Sequence, residues 1–146
     1  MPNALKHTLP CQLTAIAALA QDIERWGDET GLSAKLVFEL NLMLDELITN
    51  IIEHGYAEVD KGTIEVSAEN DAGLIVLVVR DNAAPFNLLD LSEPDLESDI
   101  EEREIGGLGV HFVRLLADSV QYRREADANI VTIRKSVNAT LSQEDE

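Results

Sequence analysis

Ala34–Gly55, AKLVFELNLMLDELITNIIEHG, is the stretch around which the chain is organised. Leu36, Val37, Leu40, Leu44, Leu47, Ile48, Ile51 and Ile52 recur at helical spacing and predict one long helix, with Ser33 as its N-cap and Gly55 as its stop. At about 100° per residue, Glu39, Glu46, Asn50 and Glu53 fall within about 40° of the direction of Glu46. The helix is therefore apolar around most of its girth with a narrow polar stripe, the pattern of a helix laid on a sheet. Glu46 and Asn50 stand one turn apart on that stripe. An acid and an amide so placed can hold a hydrated divalent cation and orient a water or hydroxyl. A solvated helix face is the plainer account of the same stripe.

Upstream, Ala4–Leu9 reads as a short extended start closed by Pro10, and Gln12–Trp26 as a helix with Leu13, Ile16, Leu19, Ala20 and Ile23 at helical spacing. Downstream, Thr63–Glu69 alternates, Asn70–Gly73 is turn chemistry, and Leu74–Arg80 is a nearly continuous apolar, β-branched run. Those two segments predict a hairpin with a central second strand. Asp81–Ile105 carries Pro85, Pro94 and many acids, so it reads as a lid-like loop. A short helix over Val110–Ala117 follows, then a second hairpin, Val120–Arg124 and Asn129–Lys135, turning at Ala126–Asp127. Hairpin-joined strands with the helices grouped apart imply an α+β fold, a two-layer α/β sandwich with a mostly antiparallel sheet.

Composition narrows the function. The 146 residues suggest one domain, over residues 1–136, with an acidic tail over 137–146. A net charge of -17 repels nucleic acid and anionic membrane and favours a basic protein partner. Cys11 is the sole cysteine, which rules out an intrachain disulfide. The opening MPNALKHTLP lacks the regions of a signal peptide, and Leu74–Val79 is far too short to span a bilayer. A cytoplasmic protein is the expectation.

Two further polar clusters complement the helix stripe. Asp81–Phe86, DNAAPF, puts a carboxylate at the end of the central strand, where it can accept a hydrogen bond from an exocyclic amine such as that of adenine; Asp-Asn before proline is also ordinary turn chemistry. Gly106-Gly107-Leu108-Gly109 opens a helix, where glycines let backbone approach phosphate and the helix end offers N–H donors. Glycines also punctuate loops. No Lys-Ser/Thr follows, so this is not a P-loop, and no strand directly precedes it as a dinucleotide fingerprint requires. Arg103 is the only basic residue of the acidic stretch and the natural phosphate contact there, or else a surface charge among Glu101, Glu102 and Glu104. Taken together, the clusters are the parts of a Mg-nucleotide site.

Glu46-Leu47-Ile48-Thr49-Asn50 with Glu53-His54-Gly55-Tyr56 resembles the N box of the GHKL ATPase superfamily, and more narrowly that of the anti-sigma serine kinases of the RsbW and SpoIIAB type. Asp81–Phe86 resembles the first glycine box and Gly107-Leu108-Gly109 the second, in the same order, so that the resemblance spans about Leu5 to Lys135. It implies the Bergerat ATP-binding fold. It also implies that Asn50 ligates Mg²⁺, Glu46 is the general base, and Asp81 reads the adenine amine. Ala83, Phe86, Arg103, Leu108 and the phosphate-lining Gly107 and Gly109 would complete the nucleotide contacts, with Thr132 supporting adenine through water. One departure is visible: Ala83 stands where the first glycine box usually has glycine. By resemblance the function is transfer of the ATP γ-phosphoryl group to a serine or threonine of a STAS-type anti-anti-sigma protein, together with sequestration of a sigma factor, in a protein that can dimerise. The alternative is a binding module of the same fold whose nucleotide site is degenerate or structural, towards which Ala83 and the acidic stretch lean.

Overall fold

The computed structural model describes residues 4–55, 62–83, 85 and 110–137. The chain runs through β1 (Ala4–Pro10), a 3-10 turn (Leu13–Ala15), α1 (Ile16–Glu29) and α2 (Ala34–Asn50). A π-helical turn (Ile51–Gly55) precedes β2 (Thr63–Asp71) and β3 (Leu74–Asp81), and the described chain closes with α3 (His111–Leu116), β4 (Ser119–Glu125) and β5 (Ala128–Ser136). The strands form one sheet in the order β1-β2-β3-β5-β4, and every neighbouring pair is antiparallel. This is the expected α+β sandwich, with helices on one face.

The pleat explains which residues reach the core. Ile64, Val66 and Ala68 of β2 and Ile75, Leu77 and Val79 of β3 alternate onto the helix side, where they join Val131 and Ile133 of β5. Against them lie Leu19, Ile23 and Trp26 of α1 and Leu40, Met43, Leu44, Leu47 and Ile48 of α2, all fully buried. The Ser33 hydroxyl accepts a hydrogen bond from Leu36 N at 3.1 Å and caps α2 as its sequence predicts. Gly27 lets α1 and α2 approach: a Cβ there would stand 2.5 Å from Val37 Cγ2.

Two details differ from expectation. The long helix does not run regularly to Gly55. It is α-helical to Asn50 and then widens into the π-helical turn. The Asn50 side chain donates to the Glu46 carbonyl at 2.9 Å just where the widening begins, a back-bonding contact that competes with the helix ladder. The first hairpin turn is also tighter than Asn70–Gly73. Strand pairing continues to Asp71↔Leu74, which leaves Ala72 (φ 54°) and Gly73 (φ 95°) to make a two-residue turn. Asn70 Oδ1 steadies it by accepting from Gly73 N at 2.9 Å. Among the described residues no helix is long and apolar enough to cross a membrane.

Candidate nucleotide site

Glu46 sits on the flank of α2 that meets α3. Its Oε1 accepts a hydrogen bond from Phe112 N, in the first turn of α3, at 3.2 Å. Burial pushes the Glu46 carboxyl up, the Phe112 N–H pulls it partly back, and the charge of Asp45 adds to the rise, so that it titrates at about 7 instead of 4.5. A carboxyl tuned to the working pH is what general-base chemistry needs. Asn50, one turn along, is buried and spends Nδ2 on the Glu46 carbonyl. Among the described residues no hydrogen bond falls on its Oδ1.

That oxygen decides whether a magnesium ion fits. Mg²⁺ prefers hard oxygen ligands and usually takes one or two from protein, the rest coming from water and phosphates. An amide oxygen with its own nitrogen already fixed suits that role. Among the described residues there is no group of three or more His, Cys, Asp or Glu that would hold a metal without help from a ligand.

Of the other two stripe members, Glu53 is exposed and Glu39 is largely buried. The Glu39 carboxylate turns inward to Lys135 of β5, with Nζ at 3.5 Å from Oε1. The Lys135 ammonium also donates to the Leu116 carbonyl, at the C-terminal end of α3, at 2.7 Å. Thus α3 has the Glu46 carboxyl accepting from its first turn and the Lys135 cation at its last carbonyls, the latter in the sense that favours the helix dipole.

The second cluster is at the end of β3. Asp81 is buried on the helix side of the sheet, directly across from Asn129 of β5. Its Oδ1 accepts from Ala83 N at 2.9 Å and from Asn129 Nδ2 at 3.0 Å. Among the described residues both donors fall on Oδ1 and none on Oδ2. Cys11 is buried close by: burial raises its thiol above the ordinary value and the Asp81 charge adds to the rise. Ala83, where glycine is usual, is not strained. Among the described non-glycine residues only Ala72 and Ala126 have positive φ, so this turn does not use the conformation that would require glycine.

Glu46 and Asn50 on α2 and Asp81 at the end of β3 lie on the helix side of the sheet, with Ala83 buried in the turn beside Asp81. Thr132 does not join them. It neighbours the core residues Val131 and Ile133 on β5, so the pleat turns it to the opposite face, where it lines a surface hollow with Gln121, Arg123 and Ile130. Phe86, Arg103, Gly107, Leu108 and Gly109 lie outside the described residues, as does most of the acidic tail. Sequence reading missed Asn129, Arg124 and Tyr122, which surround Asp81 and Ala83. The available signal was an asparagine, poor in strand propensity, just before the β-branched run Ile130–Ile133.

The model of the histidine kinase-like ATPase domain family matches residues 9–135. The serine/threonine-protein kinase BtrW of Bordetella bronchiseptica is 25% identical over 126 residues, covering 84% of this chain and 89% of that protein. The serine-protein kinase RsbW of Listeria monocytogenes is 26% identical over 148 residues, covering 99% and 94%. Among solved structures, one of the RsbU and RsbW domains of a Mycobacterium tuberculosis protein superposes with a TM-score of 0.65 at 19% identity. The match covers 91% of this chain and 32% of that one, and at this identity it speaks for the fold.

Proposed function

This chain belongs to the histidine kinase-like ATPase domain family, and on that premise we propose that it is an ATP-dependent protein serine/threonine kinase of the anti-sigma type. It transfers the γ-phosphoryl group of Mg-ATP to a serine or threonine of a STAS-type anti-anti-sigma protein, and it sequesters a sigma factor. The low-identity likeness to BtrW and RsbW supports the choice of substrate class. One observation carries the chemistry: a half-buried carboxyl, Glu46, raised to about 7 and standing one turn from the buried Asn50.

In this reading the nucleotide lies along the helix side of the sheet. Asp81 Oδ2 accepts from the adenine amine. Asn50 Oδ1 holds the magnesium ion, which when bound neutralises phosphate charge. Gly107, Leu108 and Gly109 with Arg103 meet the phosphates, and Ala83 and Phe86 border the base. Glu46 takes the proton of the attacking hydroxyl as its oxygen bonds to the γ-phosphorus, and the bond to the β–γ bridging oxygen breaks to release ADP. Only the ionised carboxylate can accept that proton, so turnover rises with pH through about 7.

Calorimetric titration with Mg-ATP, followed by a transfer assay on a STAS-domain protein, tests the proposal. Asn50→Ala is expected to abolish the magnesium-dependent part of ATP binding. Glu46→Ala is expected to abolish transfer while leaving ATP and partner affinity within about threefold, less than 1 kcal/mol. Failure of the wild type to bind Mg-ATP would refute the kinase reading and leave capture of a regulator without nucleotide.

A further inference from the structure

Besides the Ala83 N–H, which donates to Asp81 Oδ1 within the same turn, the side-chain hydrogen bonds at this corner come from the β4–β5 hairpin. Asn129 Nδ2 donates to Asp81 Oδ1 at 3.0 Å and reaches the Ala83 carbonyl at 3.4 Å. The orientation of the Asn129 amide is fixed in turn. Its Oδ1 accepts from the Tyr122 hydroxyl at 2.6 Å and from Arg124 Nη1 at 3.2 Å, and two donors there assign oxygen and nitrogen without ambiguity. Arg124 Nη1 also donates to the Ala83 carbonyl at 2.8 Å. Both backbone polar groups of Ala83 are therefore engaged, its N–H by Asp81 and its carbonyl by Arg124. With two donors on Oδ1, the Asp81 carboxylate has one orientation, and Oδ2 is the oxygen left over.

We propose that Asn129 and Arg124 are positioning residues that fix the Asp81 carboxylate for one hydrogen bond from an exocyclic amine, and that they thereby set the preference of the site for adenine over purines lacking that amine. This rests on the reading of Asp81 given above. Neither residue touches the base. They act by holding Asp81 and the Ala83 turn from the neighbouring β4–β5 hairpin.

The test compares the affinities of Mg-ATP and of Mg-purine riboside triphosphate, which differ only in the 6-amino group, by calorimetry. A hydrogen bond to a carboxylate gives the wild type a preference for ATP of about tenfold or more. Asn129→Leu removes the donor to Asp81, and its ATP preference is expected to fall below about threefold while affinity for the deaminated nucleotide holds. Arg124→Met, at an exposed side chain, is expected to lose part of the preference and to decide the matter if Asn129→Leu does not fold. A merely structural role would weaken both nucleotides in proportion. Retention of the wild-type ratio in the folded variants therefore overturns the proposal and leaves the reading of Asp81 intact. Equal binding of the two nucleotides by the wild type overturns the reading of Asp81, and the positioning role with it.

Discussion

Glu46→Gln should stabilise the protein above neutral pH and, if Glu46 is the general base as proposed, abolish phosphoryl transfer. The folded carboxyl keeps its proton to about pH 7, whereas the unfolded chain gives it up near the ordinary 4.5. Between those values the unfolded state binds fewer protons, so wild-type stability falls as pH rises, and the loss is complete once pH passes the folded value. At about 1.4 kcal/mol for each tenfold change in proton affinity, the ceiling on that loss is about 3.4 kcal/mol. Solvent reaches this half-buried group and screens it, so about 2 kcal/mol is the working figure. Glutamine has nearly the same shape, its carbonyl oxygen can accept the Phe112 N–H, and it does not titrate. Urea denaturation should therefore give matching midpoints for the two proteins at pH 4.5, and at pH 8 a midpoint about 1 M higher for Glu46→Gln, taking a slope of about 2 kcal/mol per molar for a chain of this size. A gap that does not change with pH, or a less stable variant at pH 8, would refute the assignment of the raised carboxyl to Glu46. With the expected gap, the carboxyl proposed as general base is a source of instability above neutral pH, the usual trade between stability and chemistry.

Three further substitutions probe the scaffold. Asp22 accepts from His7 Nδ1 at 2.5 Å and pairs with Arg25, and its carboxyl is lowered chiefly by the His7 hydrogen bond. Its contribution is present above the ordinary 3.8 and lost as pH falls through the lower folded value, so Asp22→Asn should cost about 1 kcal/mol at pH 7 and nothing once both states are protonated, as read by urea curves. Gly27→Ala should lower the melting temperature despite the better helix propensity of alanine, because the new methyl meets the stiff Val37 side chain, at a cost of about 1–3 kcal/mol. Lys135→Met strands Glu39 beside an apolar group and uncaps α3, for about 2 kcal/mol; adding Glu39→Leu should recover part of that in a double-mutant cycle.

The element order was legible because each segment carries its own period. β2 alternates, β3 is apolar from Leu74 to Val79, and α2 combines an apolar girth with a capping Ser33. What escaped sequence reading depends on pairing between distant segments. The burial of Glu39 could not be read from its stripe, because Lys135 arrives on a different strand. Asn129 looked like a strand start until β5 was set antiparallel to β3 in a register that puts it opposite Asp81. The same pleat takes Thr132 off the site by one position. The widening after Asn50 follows from a side-chain hydrogen bond that no periodicity reports. Glu46 and Asn50 stood out for another reason: they are polar residues at helical spacing on a helix that is otherwise apolar.

The seam between β3 and β5 also has a kinetic meaning. Each hairpin closes locally through a two-residue turn, on a scale of about 1–10 μs for such units. Asp81 and Asn129, by contrast, are 48 residues apart, and their hydrogen bond forms only when the two hairpins meet. Closing that distance carries an entropic cost that grows only slowly with loop length, about 0.6 kcal/mol per doubling, so the acidic connection can lengthen or shorten at little thermodynamic cost. If Asp81 reads the base as proposed, that corner is complete only once the two hairpins have docked. A nucleotide that binds there meets only fully docked chains, and it should act as a brake on unfolding without speeding folding.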